Sequence, residues 1–446
     1  MPGPAEPCSF RVNAMRNWAA CGMVILSCST YRARHEWGKP LNQVAEAERS
    51  PVEVAEERYR AALALFEAGD GAGAQAACMD MLRREPNAFA PTRLLGAIAL
   101  RAGQRDQALV WIRQARALAF DAPRKALIGT AFFWAAAFDE AVEVLAEARA
   151  LNPGERRILS TWLGATSGKH LSHYYEAKLE RKPEIFRPRT FNDHMLRWII
   201  YGRDPNLKII CDKFALRGFL RDRVGPDLVV PLLHHWDRAE DVDWASLPDS
   251  FVIKASHGSG QCLVIEDKAA HDPAEVLAQV KGWLARDFFE FSKEWAYLNL
   301  PRRVLIEPLL RPQVGDALVE VQVYTFGGKA KMIMTATGQK GDEGRVGGWY
   351  RLDGRRLDLA TGKLRSTDLP IGDAVRAQLV EIAERACQGF RALRVDFYVT
   401  DQGPKIGELT PYTGGGRNTF LPAERDEQLG RLWTEDYDLD DIPDHA

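Results

Sequence analysis

From about Ser50 to Gly154 the chain repeats itself every 33 to 34 residues, a period that leaves few architectures open. Ala74, Ala108 and Ala141 mark the period, and each follows a break, at Gly69-Asp70, Gly103-Gln104 and Ala137-Phe138. After each break a second helix is predicted to end near Glu85-Pro86, Asp121-Ala122-Pro123 and Asn152-Pro153, because proline cannot continue a helix. Small residues at Gly96 and Ala108, and at Gly129 and Ala141, mark where two antiparallel helices come close. Units of this kind bury their apolar faces only by stacking. The expectation is an all-α helical-repeat domain over 51–160. It would serve as a rigid spacer or oligomerisation arm, or as a concave surface for a protein partner.

At 446 residues the chain has room for two or three domains. Its 46% hydrophobic and 27% charged residues exclude wholesale disorder and a polytopic membrane protein. A net charge of −2 argues against nucleic acid or an anionic membrane surface as the main partner. The cysteines lie singly with no CxxC pair, so neither a disulfide framework nor a zinc knuckle is indicated, and a reducing cytoplasm is expected. The apolar run Trp18–Cys28 is too short to span a bilayer, and no transmembrane segment is expected. Residues 1–50 are expected to be a disordered or poorly defined leader, with a signal-peptide core as the alternative reading.

From about Ser167 to Trp433 helical stretches alternate with β-branched runs at Phe251–Lys254, Gln261–Ile265, Val304–Leu310, Leu318–Phe326, Ala330–Thr337, Leu393–Thr400 and Lys405–Leu409. That alternation predicts a mixed α+β domain over 167–433. Trp283, Phe288, Phe289 and Phe291 read as core. The acidic stretch 434–446 reads as a solvated tail.

Within the second region, two short apolar strands are joined through His257-Gly258-Ser259-Gly260. Glycines let backbone N–H groups close on anionic oxygens, and Lys254 adds a positive charge on the preceding strand, so the segment suits phosphate. The Gly-Lys-Ser/Thr opening of a Walker loop is missing. A plain glycine hairpin with a solvated lysine remains the alternative. Nearer the C-terminus, Asp401-Gln402-Gly403-Pro404 separates two strands, and a turn centred on Gln402 sets Asp396 opposite Glu408. Like charges across a strand pair repel, and a magnesium ion held by both carboxylates and nucleotide phosphates offsets that repulsion. One residue of slip would put the two acids on opposite faces. Arg394 shares the face of Asp396 and either neutralises the pair or binds a transferring phosphoryl group.

Taken in order, these segments resemble the ATP-grasp fold, and more narrowly the TupA-like ATP-grasp family, which is associated with bacterial cell-surface polymer biosynthesis. The helical units resemble the tetratricopeptide repeat. The motifs that carry the family resemblance are Thr190-Phe191-Asn192 with Trp198, Cys211 to Arg217, Phe251 to Gly260, Lys293-Glu294-Trp295-Ala296-Tyr297, Arg303 to Glu307, Arg394-Val395-Asp396 and Gly407-Glu408-Leu409-Thr410. They run through roughly Ser167 to Trp433. The resemblance implies an ATP-grasp-like fold, two α+β subdomains clamping a nucleotide, behind the all-α repeats, with ATP and Mg2+ as cofactors.

By the same resemblance Lys213 and Lys254 contact the α- and β-phosphates, and Ser256, His257, Gly258, Ser259 and Gly260 form a mobile loop over them. Glu307 lies near the adenine or ribose, and Asp396, Glu408 and Thr410 hold the metal, with Arg394 and Lys254 catalytic. Thr410 stands where many ATP-grasp enzymes carry asparagine, although threonine is usual in this subfamily, and Gln322 stands where the subfamily often has lysine. The implied activity is an ATP-dependent ligase joining a carboxylate to an amine, both small molecules or polymer precursors, held by loops such as Thr337–Tyr350 and Tyr412–Thr419. Kinase-like transfer to a sugar or hydroxyl, and a nucleotide-binding scaffold without catalysis, are the alternatives.

Overall fold

The computed structural model describes residues 50–313, 318–337, 346–361 and 369–445. The expected leader 1–49, with its Trp18–Cys28 run, lies outside the described residues, as do 338–345 of the expected substrate loop. The chain divides into two compact units between Thr166 and Ser167.

In the first unit, α1 (Pro51–Glu67) pairs with α2 (Gly71–Arg84), α3 (Phe89–Arg101) with α4 (Arg105–Ala117), and α5 (Ala122–Trp134) with α6 (Phe138–Leu151). Ser50 opens α1 with a capping box to Glu53, which satisfies two otherwise orphaned N–H groups. The three hairpins turn at the predicted breaks, and Ala74, Ala108 and Ala141 are fully buried. A Cβ on Gly96 would meet Ile112 Cγ1 at 2.9 Å, and one on Gly129 would meet Leu145 Cγ at 2.4 Å, so each glycine admits the facing helix. The expectation for Asp121-Ala122-Pro123 needs correction. Helix α4 stops at Ala117, and Asp121 caps α5 with the proline in its first turn, where its fixed φ suits a helix start.

Helix α7 (Arg156–Leu179) leads into the second unit, followed by α8 (Phe191–Tyr201), α9 (Asn206–Cys211) and α10 (Ala215–Val224). Two antiparallel sheets come next. The smaller has the order β1 (His234–Trp236), β4 (Val304–Pro308), β2 (Phe251–Ala255), β3 (Cys262–Ile265), and Val276 and Val280 of α11 (Pro273–Ala285) join Phe251, Ile253 and Ile306 in its core. The larger has the order β10 (Gly403–Thr410), β9 (Ala392–Thr400), β5 (Val319–Phe326), β6 (Lys329–Thr337), β7 (Val346–Tyr350), with α13 (Asp373–Ala386) packed against β5 and β6. The short strands β8 (Ala360–Thr361) and β11 (Phe420–Leu421) pair separately, and α12 (Phe288–Ser292) and α14 (Arg425–Gly430) are brief helices. No helix among the described residues is long and apolar enough to cross a membrane.

The seven predicted strands are present, within a few residues of their expected ends. Strand β7 was missed because Gly347-Gly348 reads as loop. A Cβ on Gly347 would lie 2.0 Å from the Thr335 carbonyl oxygen, so glycine is what lets this strand pair with β6. Two further expectations fail. Phe291 is 77% exposed, because in the five-residue α12 it lies roughly opposite buried Phe289 at helical spacing. The acidic tail is solvated on one side only: Tyr437, Leu439 and Ile442 are buried, while its acids stay exposed, with Lys331 holding Asp436 at 2.8 Å and Asp438 at 2.7 Å and Arg351 holding Asp444 at 2.7 Å. Acids alternating with apolar residues let the segment bury one face and pair the other.

The β9–β10 hairpin reaches the expected pairing by an unexpected register. Its turn sets Gly403 opposite Thr400 and Ile406 opposite Phe397, so an unbroken ladder would place Gly407, not Glu408, opposite Asp396. A bulge between Ile406 and Glu408 takes up the extra residue, and beyond it Glu408 faces Asp396 and Thr410 faces Arg394. A Cβ on Gly407 would lie 2.5 Å from Tyr398 Cε2. Gly407→Val is therefore expected to cost about 1–3 kcal/mol in urea unfolding, as an overpacked site does. A loss below about 0.5 kcal/mol, the usual range of harmless surface changes, would show that the bulge does not depend on glycine.

Candidate active site

The paired acids sit at the edge of the larger sheet, where β10 lends Glu408 and Thr410 and β9 lends Arg394 and Asp396. Arg394 grips Asp396 with two parallel bonds, Nε to Oδ1 and Nη2 to Oδ2, each 2.6 Å. Its Nη2 also donates to Thr410 Oγ1 at 3.3 Å, and Thr410 donates in turn to Glu408 Oε1 at 3.1 Å. The four side chains thus form one continuous polar network. Lys213, which follows α9, places its Nζ 3.7 Å from Glu408 Oε2 and donates to the Gly258 carbonyl at 2.6 Å.

Burial dominates the Asp396 carboxyl and, with Glu408 adding to it against the pull of Arg394, pushes it up to about 7. Burial acts on Glu408 in the same sense, but Lys213, Arg394 and the Thr410 hydroxyl outweigh it and hold that carboxyl below the usual glutamate value. Glu408 therefore holds its charge more readily than Asp396, and a further cation beside Asp396 would favour its charged form.

The smaller sheet carries a second ion cluster. Lys254 on β2 bonds Glu307 on β4 at 2.7 Å, and Arg217 of α10 takes the other Glu307 oxygen. Arg217 also donates to the Lys213 carbonyl, so the two clusters share one chain of bonds from Glu408 through Lys213 and Arg217 to Glu307 and Lys254. Glu307 has both oxygens engaged by cations, and Lys254 is not a solvated turn lysine but 11% exposed in a buried pair.

The glycine loop is less free than expected. Ser256 is fully buried, donating its hydroxyl to the Pro301 carbonyl and accepting from the Arg303 amide, each at 3.1 Å. His257 is buried with Nε2 3.1 Å from the Arg286 carbonyl, and Gly258 is buried beside it. Among the five loop residues only Ser259 and Gly260 are exposed, so that tip is the part of the loop open to a ligand.

Several residues that shape the site had no role assigned from sequence. Arg217 lies in the Cys211 to Arg217 motif, and it reaches back from the first turn of α10 to the Lys213 carbonyl in the turn before that helix. Asn192 follows Thr190, which opens α8 with a capping box to Asp193. Its amide donates to the Asn418 carbonyl at 2.9 Å and accepts from the Asn418 N–H at 2.8 Å, fixing the loop after β10 from a position 226 residues earlier. No local signal announces a bond of that span. Gln322 stands beside Asp396 on β5, and its Oε1 is buried without a partner among the described residues, so this place in the network carries no charge.

No group of three or more His, Cys, Asp or Glu side chains among the described residues could hold a metal. What the site offers is two carboxylates and a hydroxyl, hard oxygen donors beside two lysines and an arginine. That set fits an ion such as magnesium, which keeps waters and phosphate oxygens in its shell and takes only one or two carboxylates from the protein.

The profile of the TupA-like ATPgrasp family matches residues 194–434. No curated protein matches the chain. Among solved structures, the ATP-grasp ligase PsnB complexed with minimal precursor is 17% identical with a TM-score of 0.28, over 50% of this chain and 60% of that one. D-alanine–D-alanine ligase from Bacillus anthracis complexed with ATP is 15% identical with a TM-score of 0.30, over 46% and 55%. The macrocyclase MdnC from Microcystis aeruginosa MRC, bound with precursor peptide MdnA, is 14% identical with a TM-score of 0.29, over 52% and 63%. The chain thus spans less than two thirds of each of these three structures.

Proposed function

Since this chain belongs to the TupA-like ATP-grasp family, we propose that it is an ATP-dependent ligase joining a carboxylate to an amine through an acylphosphate, in the making of a bacterial surface polysaccharide or another cell-envelope polymer. One observation carries the reading most: the Arg394-Asp396-Glu408-Thr410 network on one sheet is tied by Lys213 and Arg217 to the Lys254-Glu307 pair on the other. Cations from two sheets around paired acids suit a polyphosphate and its metal. The envelope-polymer context rests on the family resemblance alone.

Lys213 and Lys254 would hold the nucleotide phosphates, with the Ser259-Gly260 tip of the loop closing over them. Asp396, Glu408 and the Thr410 hydroxyl would hold magnesium, which when bound neutralises phosphate charge. The substrate carboxylate attacks the γ-phosphorus, the bond to the ADP oxygen breaks, and an acylphosphate forms. Arg394, held in place by Asp396, faces the charge on the transferred oxygens. The amine then attacks the acyl carbon, a C–N bond forms, and phosphate leaves with the amine proton. Closure of the segment around 251–287 would keep water from the acylphosphate. The helical hairpins remain the surface we assign to a protein partner, and the need for ATP suits the cytoplasm.

Hydroxylamine tests the intermediate. With ATP, magnesium and an accepted carboxylate, the protein is expected to release a hydroxamate in step with ADP, because hydroxylamine intercepts an acylphosphate. A phosphorylated acceptor without hydroxamate would replace this reading by phosphoryl transfer to a hydroxyl.

A further inference from the structure

The loop that follows β10 holds three successive glycines in the left-handed region, Gly414 at φ +61°, Gly415 at +59° and Gly416 at +67°. Two of them are explained by contact with the protein. A Cβ on Gly416 would press on the Leu196 amide of α8 at 3.0 Å, and one on Gly414 would strike the Asn418 side chain at 2.2 Å. At Gly415 the missing Cβ would instead stand between a basic and an acidic side chain, 2.6 Å from Arg417 Nη2 and 3.3 Å from Glu294 Oε1. Those two atoms are thus no more than about 6 Å apart, yet no ion pair joins them within 4.0 Å.

Neither has an oppositely charged partner elsewhere among the described residues. Glu294 is 8% exposed, and no hydrogen bond or ion pair among the described residues engages its carboxylate. Burial, opposed by Arg417 and reinforced by Glu408, raises that carboxyl to about 8, as befits an acid lacking a counter-ion. Arg417 is half-buried over the Tyr174 ring, 5.6 Å from its centroid, with no carboxylate within salt-bridge distance among the described residues. A buried acid and a base held apart across a glycine are unfavourable unless a ligand completes both. Loop 413–418 is fastened by Asn192, and the Glu408 carboxylate acts electrostatically on Glu294, which ties this gap to the paired acids.

We propose that Glu294, Gly415 and Arg417 form the acceptor subsite, and that it takes a free α-amino acid, with the ammonium at Glu294 and the carboxylate at Arg417. The assignment rests on the ligase reading above and supplies the class of its amine substrate. A zwitterion has both charges within one small unit: its carboxylate matches Arg417, and its ammonium would supply the counter-ion that lets the Glu294 carboxyl ionise, whereas an amino sugar would leave Arg417 unmatched. Gly415, whose φ of +59° already favours glycine, also leaves the gap open, because a methyl group there would stand within it.

The test is calorimetric titration of the full chain, with magnesium and a non-hydrolysable ATP analogue present. The probes are a panel of free α-amino acids, their methyl esters and the corresponding amines without a carboxylate. At least one free amino acid is expected to bind about tenfold or more tightly than its ester. Arg417→Met is expected to abolish that preference, and Glu294→Gln to weaken acid and ester alike, with affinity for the nucleotide analogue and the melting temperature unchanged in both. An ester bound as well as its acid, an equal loss for both in Arg417→Met, or nucleotide binding with no amino acid bound would each overturn the subsite and leave the ligase standing. Failure of the chain to bind the nucleotide would instead remove the ligase reading, and the subsite with it.

Discussion

Replacing Glu408 by glutamine is expected to lower magnesium-dependent ATP turnover by about 100- to 1000-fold, the size of effect seen when one preorganised electrostatic group is removed from an active site. The substitution keeps the shape of the side chain and the bond from Thr410, but it removes the negative charge that faces Asp396 and lies 3.7 Å from Lys213. Two effects then act together. The metal loses one of its two carboxylates, and Lys213 loses the acid that holds it toward the phosphates. Steady-state ADP release at saturating ATP, repeated over a magnesium series, measures both. Full activity in Glu408→Gln would mean that the pair is a structural ion network, and a wild-type chain with no turnover at all would favour the scaffold reading.

Replacing Glu307 by glutamine is expected to destabilise the second unit by about 3–5 kcal/mol, because it leaves Lys254 and Arg217 buried without their shared acid. Against a total folding stability of about 5–15 kcal/mol, that is a large share. The same principle supplies the control. Changing Arg217, Lys254 and Glu307 together to apolar residues of similar volume is expected to recover most of the stability, while nucleotide binding stays lost with Lys254. Denaturant unfolding and nucleotide titration separate the two roles. A Glu307→Gln chain within about 0.5 kcal/mol of wild type would show that solvent or relaxation already screens the triad.

The Glu307 cluster also shows why a site built so largely from sequence motifs is only half legible in the sequence. Lys213, Lys254, Glu307, Asp396 and Glu408 were each singled out, yet the contact that now defines Lys254, its bond to Glu307, joins residues 53 positions apart in sequence. The family resemblance implied that Ser256 and His257 belong to a mobile loop, but how a loop is held depends on where its backbone and side-chain bonds go. Here they go to Pro301, Arg303 and Arg286. Glu294 and Arg417 were legible only as charges, since their lack of a partner is a property of the folded surroundings.

What the chain by itself determined is what short-range physics controls. Breaks at Gly69-Asp70 and Gly103-Gln104 set the helical hairpins because the glycine ends one helix with a positive φ and the next residue stands at the N-cap of the following one, and alternating apolar residues set the strands because a strand has only two faces. Tertiary structure alone decided the register of β10, where the bulge at Gly407 brings Glu408 opposite Asp396, and the seating of loop 413–418 by Asn192. Both depend on contacts whose free energy exists only once distant segments have met, and a single residue of slip would reverse the face on which a charge stands.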